Sequence, residues 1–134
     1  MATIFPKEML GENLSAEYIA ERLSYFYEQI HLLHLQTSSH AEHEALNVWK
    51  DIVNLKDDIL EKLMGCEGKK VKVFKISPLL EYYKGLSTKI MKDVKDFSEK
   101  LEDWAEKEDY SGIEALAQEL NGKAIQTLYF LTLS

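Results

Sequence analysis

His31, His34, His40 and His43 are all the histidines of this chain, and they fall within thirteen residues. Imidazole is the commonest side-chain ligand of transition metals and the group that titrates nearest neutrality, so the cluster points to a metal site or a proton-transfer site. Asp57 and Glu61 stand fourteen and eighteen residues beyond His43. They are one helical turn apart, and their hard oxygens combined with imidazole nitrogen make a donor set suited to iron. His40-x-x-His43 offers a smaller alternative, two nitrogens for a zinc ion. The competing reading is a solvated helix face on which histidines gather without a ligand.

Other chemistry finds no support in the residues. The chain has no Gly-rich phosphate loop, no G-x-S-x-G and no His-Glu-x-x-His pattern. Glu28-x-x-His31 occurs once, whereas a di-iron centre inside a bundle needs that motif from two helices. Tyr25, Tyr27, Tyr82 and Tyr83 read as packing residues with one wet end.

Composition narrows the class. The chain has 134 residues, 29% charged and 46% apolar, the scale of one globular domain with its own core. A net charge of −7 argues against general affinity for nucleic acid or an anionic membrane. Lys69, Lys70, Lys72 and Lys75 form a local exception and read as keeping an extended connector soluble. Cys66 is the single cysteine, so no internal disulfide forms and a cytoplasmic location is expected. The residues from Met1 to Met9 lack the basic start and apolar run of a signal peptide, and no stretch is long and apolar enough to span a bilayer.

The elements that must position the histidines are helices. Ile19, Leu23, Phe26, Ile30 and Leu33 recur at spacings of four and three, which predicts a helix over about 15–36. Thr37, Ser38 and Ser39 interrupt it, and Ser39 with Glu42 has the form of a capping box that starts a second helix near His40. That helix is expected over about 40–64, with Leu46, Trp49, Ile52, Val53, Ile59, Leu60 and Leu63 as its apolar side and Gly65 as its end. Residues 66–77 alternate Val71 and Val73, then Ile76, among lysines, which suits an extended segment. Twelve extended residues reach on the order of 40 Å, about the length of the second helix, so the connector is expected to cross from one end of the bundle to the other.

Ser77-Pro78 reads as the start of a third helix, over about 78–106, with Leu79, Tyr83, Leu86, Ile90, Val94, Phe97, Leu101 and Trp104 as its seam. Ser111 and Glu114 form a second apparent capping box, and Ile113, Leu116, Ala117, Leu120, Ala124, Leu128 and Leu131 carry a fourth helix over about 112–132. The expected fold is an all-α four-helix bundle in a single domain. On a helical wheel His43, Asn47, Asn54, Asp57 and Glu61 share one face within about 40° of its centre, with Lys50 among them. Along the axis, however, His43 and Glu61 stand about 27 Å apart. They cannot ligate one ion within one chain, so a joint site requires a second copy whose carboxylates meet these histidines.

This text resembles the Dps-type mini-ferritins, whose motif places a histidine at the end of the first helix, another early in the second, and an Asp-x-x-x-Glu pair later in that helix. The matching residues are His34-Leu35-Gln36-Thr37, then His43 to Asn47, then Asp57 to Glu61 ahead of Gly65. A closer likeness, through His34 to Leu46 and the closing Leu128-Tyr129-Phe130-Leu131, is to phage-encoded ferritin-like proteins. The resemblance implies a ferritin-like bundle that assembles into a dimer or larger symmetric oligomer and oxidises Fe(II), with zinc as a substitute metal. The implied ligands are His34 (or His31) and His43 from one subunit, with Asp57 and Glu61 from the other. The chain departs from the family at Leu35, where the motif has tryptophan, and at Asn47, where it has an acid. The interval from His43 to Asp57 is one residue short, and an ungapped alignment selects Asp58 and Lys62 instead. The alternative expectation is a bundle of the same fold that holds no metal and serves as a structural or protein-binding module.

Overall fold

The computed structural model describes residues 14–134. Among them it has four long helices and one short one, and no strand. α1 spans Ala16–Gln36, α2 His40–Ala45, α3 Trp49–Glu67, α4 Leu86–Lys107 and α5 Ser111–Leu131. A 3-10 turn, Leu46–Val48, joins α2 to α3. Ser15 starts α1 by accepting the Tyr18 amide at 3.0 Å, which satisfies one of the free donors of the first turn.

α1 packs on α3 and α4, and α5 packs on the same two. The long helices therefore close a ring in the order α1, α3, α5, α4. The stripe expected on α1 is the core, since Ile19, Leu23, Phe26, Ile30 and Leu33 are all fully buried. Phe26 meets Phe97 of α4 edge to face at 5.9 Å, in the geometry that aromatic quadrupoles favour.

Residues 68–85 form the crossover. Its amides of Lys72, Ser77, Leu80 and Tyr82 donate in turn to Glu17, Glu21, Gln29 and Gln36. The segment thus runs in the same direction as α1, along its whole length, and returns the chain to the end where α3 began. α4 accordingly starts beside α2, with Ser87 bonded to Glu42. The topology is up-down-down-up, and the extended connector expected from the sequence supplies its long connection.

Its limits differ from the expected 66–77. α3 continues through Gly65 to Glu67 and ends at Gly68, whose φ of +70° is cheap only for glycine. Ser77-Pro78 does not start a helix. The Ser77 hydroxyl and amide are held by Glu21, and Arg22 Nη2 donates to the same hydroxyl at 2.7 Å. The Gln29 amide then takes both backbone groups of Leu80, accepting its N–H at 2.7 Å and donating to its C=O at 2.9 Å. A helix begun at Pro78 would need the Leu80 C=O for its own ladder, and Gln29 takes it, so the side chains of α1 hold the segment open and α4 begins only after Gly85, φ +97°. Leu79 and Tyr83, placed on the core seam by periodicity, are correspondingly 41% and 47% exposed.

Neither capping box closes as expected. Ser39 does accept the Glu42 amide, but the Glu42 carboxylate turns inward instead of back to Ser39. At α5 the N-cap position is Tyr110 with no side-chain cap, so Ser111 lies inside the first turn.

Gln29 is the simplest point at which to loosen the crossover. Gln29→Leu keeps the volume and removes both bonds to Leu80, and we expect a loss of about 1–2 kcal/mol. Urea melts measure that loss. Faster amide exchange at Leu80 than at Val94 in the variant locates it in the strap.

Candidate functional site

The histidines sit where the end of α1 faces α2. The short Thr37–Ser39 turn reverses the chain tightly enough that His34 and His43 stack, with ring centroids 3.8 Å apart and planes 19° apart. His34 Nδ1 donates to the carbonyl of His43, and His43 Nδ1 donates to the carbonyl of His34, each at 2.8 Å. A carbonyl only accepts, so both rings carry their proton on Nδ1. In the neutral rings this leaves a lone pair on each Nε2.

His31 extends this arrangement one turn back. It lies 6.3 Å from His34 and stacks on Trp49 at 4.1 Å, and Trp49 in turn meets Tyr27 at 5.8 Å. Lys50 and Lys56 cap this column, over Trp49 at 5.8 Å and over Tyr27 at 5.7 Å, as cation–π partners. Trp49 was expected only as a core residue; its place against His31 follows from the stacking of α3 beside α1. His40, the fourth histidine, is exposed at the start of α2.

Asp57 and Glu61 lie elsewhere. Asp57 is about 21 Å further along the α2–α3 axis. The two carboxylates border an open groove of about 480 Å³ between α3 and the crossover, which also takes in Lys56, Leu60, Val71 and Phe74. Both acids are exposed, and Lys56 Nζ approaches Asp57 at 3.9 Å. Lys62, the alternative to Glu61 in the ungapped alignment, lies over Gly112 of α5 instead.

The wheel that placed His43 on the carboxylate face assumed an unbroken α-helix. The 3-10 turn advances about 120° per residue rather than 100°, so three residues rotate the later face by roughly 60°. That rotation turns His43 toward α1 and leaves Asp57 and Glu61 facing the groove.

One chain by itself does not assemble a metal shell from these donors. Among the described residues no three histidine, cysteine or acidic side chains converge on a point. The stacked rings explain part of this, because a lone pair lies in the plane of its imidazole and nearly parallel planes 3.8 Å apart do not aim the two lone pairs at a common point. Each neutral ring offers one nitrogen, and Asp57 and Glu61 stand too far along the axis to join them within one chain.

Two clusters escaped the sequence reading. Glu42 is 7% exposed, yet its carboxylate accepts from the hydroxyls of Thr37 at 2.6 Å, Tyr82 at 2.7 Å and Ser87 at 2.5 Å. Burial alone pushes its pKa up, but those three donors outweigh burial and hold it below the usual carboxylate range. The second is Arg22, 3% exposed, which pairs with Glu21 and Ser77 and lies over the rings of Tyr25 and Phe26. An arginine three residues after Ile19 and four before Phe26, on the apolar stripe of a predicted helix, was the available signal, since a charge on that stripe must find a partner.

The described residues thus form an all-helical bundle with a long crossover, bearing an imidazole pair at one end and a carboxylate pair on a separate face. Residues 34–131 match a family described as a family of unknown function (DUF5856), and the chain belongs to it. No curated protein and no solved structure matches the chain. No helix among the described residues is long and apolar enough to cross a membrane.

Proposed function

We propose that the chain is a ferritin-like bundle that takes Fe(II) as its substrate and oxidises it at a site shared by two copies. His34 and His43, with His31 beside them, serve from one copy, and Asp57 and Glu61 serve from the other. The observation that carries this reading is the reciprocal pair of Nδ1 bonds. Ligating histidines characteristically donate their second ring nitrogen to a carbonyl or carboxylate, which fixes the tautomer and aims the free nitrogen. Here two imidazoles are held that way on adjacent helices. The carboxylates stand one turn apart and apart from them, as a site split between copies requires. In the reaction two Fe(II) ions give one electron each to dioxygen, which takes up two protons and leaves as hydrogen peroxide.

Iron oxidation by the purified chain, followed beside Fe(II) in buffer alone, is the test. His43→Ala and Asp57→Asn are each expected to slow it at least about tenfold, with helicity unchanged. Mixing the two variants should restore part of the rate, because one site of a mixed pair then holds an intact histidine set and an intact carboxylate set. Equal oxidation by the parent and His43→Ala eliminates the reading.

A second reading, a metal-free structural or protein-binding module, is favoured by a different observation. The crossover exposes Val73 at 98% and Ile76, Leu79 and Leu80 at 42%, 41% and 44%, an apolar row of the kind that marks contact surfaces. A parent chain that neither binds nor oxidises Fe(II) leaves this reading in place.

A further inference from the structure

We infer that the outer face of α5 is a contact between two copies of this chain, packed antiparallel about a two-fold axis at Tyr129. Ile125, Tyr129 and Leu133 are 49%, 61% and 62% exposed, and Phe130 beside them is 40% exposed. Ile125 and Tyr129, four residues apart, form a ridge at the end of α5, and Leu133 follows in the turn just beyond the helix.

Charge selects the occupant. In this chain 29% of residues are charged and the net charge is −7, so two copies repel over most of their surface. From Gly122 onward, however, every exposed side chain of α5 is uncharged, and Lys123 at the edge of the face is turned toward Asp51, 4.0 Å away. Along this stretch of α5 a second acidic copy can approach without meeting like charge, and Glu44 of α2 marks the edge of that stretch. A strongly basic or acidic partner would find nothing here to pair with.

The ridge is also self-complementary. Placing Tyr129 on the axis sets the Ile125 end of each copy's α5 toward the C-terminal turn that carries Leu133 in the other, so apolar side chains face apolar side chains on both sides of the axis. The four apolar side chains offer on the order of 450 Å² per copy, more than half of the roughly 800 Å² per partner that a stable interface buries. A shallow cleft of about 320 Å³, lined by Ala41, Glu44, Ala45, Phe130 and Leu133, continues the area onto α2, with Glu44 as the one charged residue of its lining.

This contact does not depend on the iron reading, which uses α1, α2 and α3. Its test is crosslinking of the full chain in a Cys66→Ser background. Tyr129→Cys, sitting on the axis, is expected to give a covalent dimer as the major species on diamide oxidation, whereas Glu102→Cys on α4 stays uncrosslinked. By light scattering at high micromolar concentration, the parent should weigh at least twice its 15.5 kDa, and Tyr129→Glu should halve the observed mass. His43→Ala and Asp57→Asn should leave the crosslinking yield unchanged, which separates the two interfaces. A parent of monomer mass, or equal crosslinking at positions 129 and 102, overturns the inference.

Discussion

Glu42→Ala is expected to destabilise the chain by about 3 kcal/mol, among the largest losses available from a single polar residue. The carboxylate is buried, and three hydroxyls from three different segments converge on it: Thr37 after α1, Tyr82 in the crossover and Ser87 in α4. Hydrogen bonds to an ionised acceptor are individually stronger than neutral ones. Removing the acceptor also leaves the half-buried Thr37 and Tyr82 and the buried Ser87 without their shared partner, which costs more than the bonds themselves contribute. Glu42→Gln keeps one oxygen and brings two donors toward groups that also donate, so its loss should fall between those of the parent and the alanine variant. Urea denaturation of the three proteins decides the matter. An alanine variant within about 0.5 kcal/mol of the parent would show that the node holds nothing together.

The same node sits directly beneath the histidine pair. Glu42 precedes His43, and the turn it anchors through Thr37 brings His43 back against His34. Loosening that turn should therefore disorder the imidazole stack before it unfolds the bundle. Resonances of the two imidazoles in Glu42→Gln are expected to broaden while those of the core methyls of Ile19 and Ile59 stay sharp.

The helices were readable because their core stripes repeat over many turns. Ile19 to Leu33 on α1 and Leu86 to Trp104 on α4 give a periodic signal that single exceptions do not erase. The crossover was readable for the opposite reason, its alternation and its lysines. Its far end was not, because Leu79 and Tyr83 fall in helical register with α4 and the competing partner, Gln29, lies fifty-one residues from Leu80. Local pattern carries no trace of a bond at that separation. The site divides in the same way. Two histidines flanking a short turn are close in sequence and were expected together, whereas the 3-10 turn that rotates Asp57 away from His43 is a departure of about 20° per residue over three residues with no composition of its own. Glu42 looked like a cap because its spacing from Ser39 is right, and only the burial of the turn shows that its carboxylate has better partners.

Asp93 makes the last prediction, and its sign is opposite to that of a paired carboxylate. It is 4% exposed on α4, and its Oδ2 has no hydrogen-bond partner among the described groups. Burial and the nearby Asp96 raise its pKa to about 6, against the partial relief given by Arg22 across the α1 contact and by Lys89. A carboxyl whose folded pKa lies above its unfolded value binds its proton more tightly when folded, so it opposes folding as pH rises from about 4 to 6. Above that window the penalty is complete, at most about 3 kcal/mol for a shift of this size. Asp93→Asn removes it. The variant is expected to exceed the parent by about 1–3 kcal/mol at pH 7.5 and to match it near pH 4. Glu21 and Glu42, whose pKa values are lowered, stabilise the fold at neutral pH and lose that contribution on acidification. The parent's own pH profile therefore mixes both signs, and only the difference between parent and variant isolates Asp93. Urea melts at the two pH values give that difference. A variant less stable than the parent at pH 7.5 would mean that the attraction of Asp93 for Arg22 outweighs its desolvation. In that case the buried arginine, whose Nη1 also lacks a partner, depends on both acids rather than on Glu21 alone.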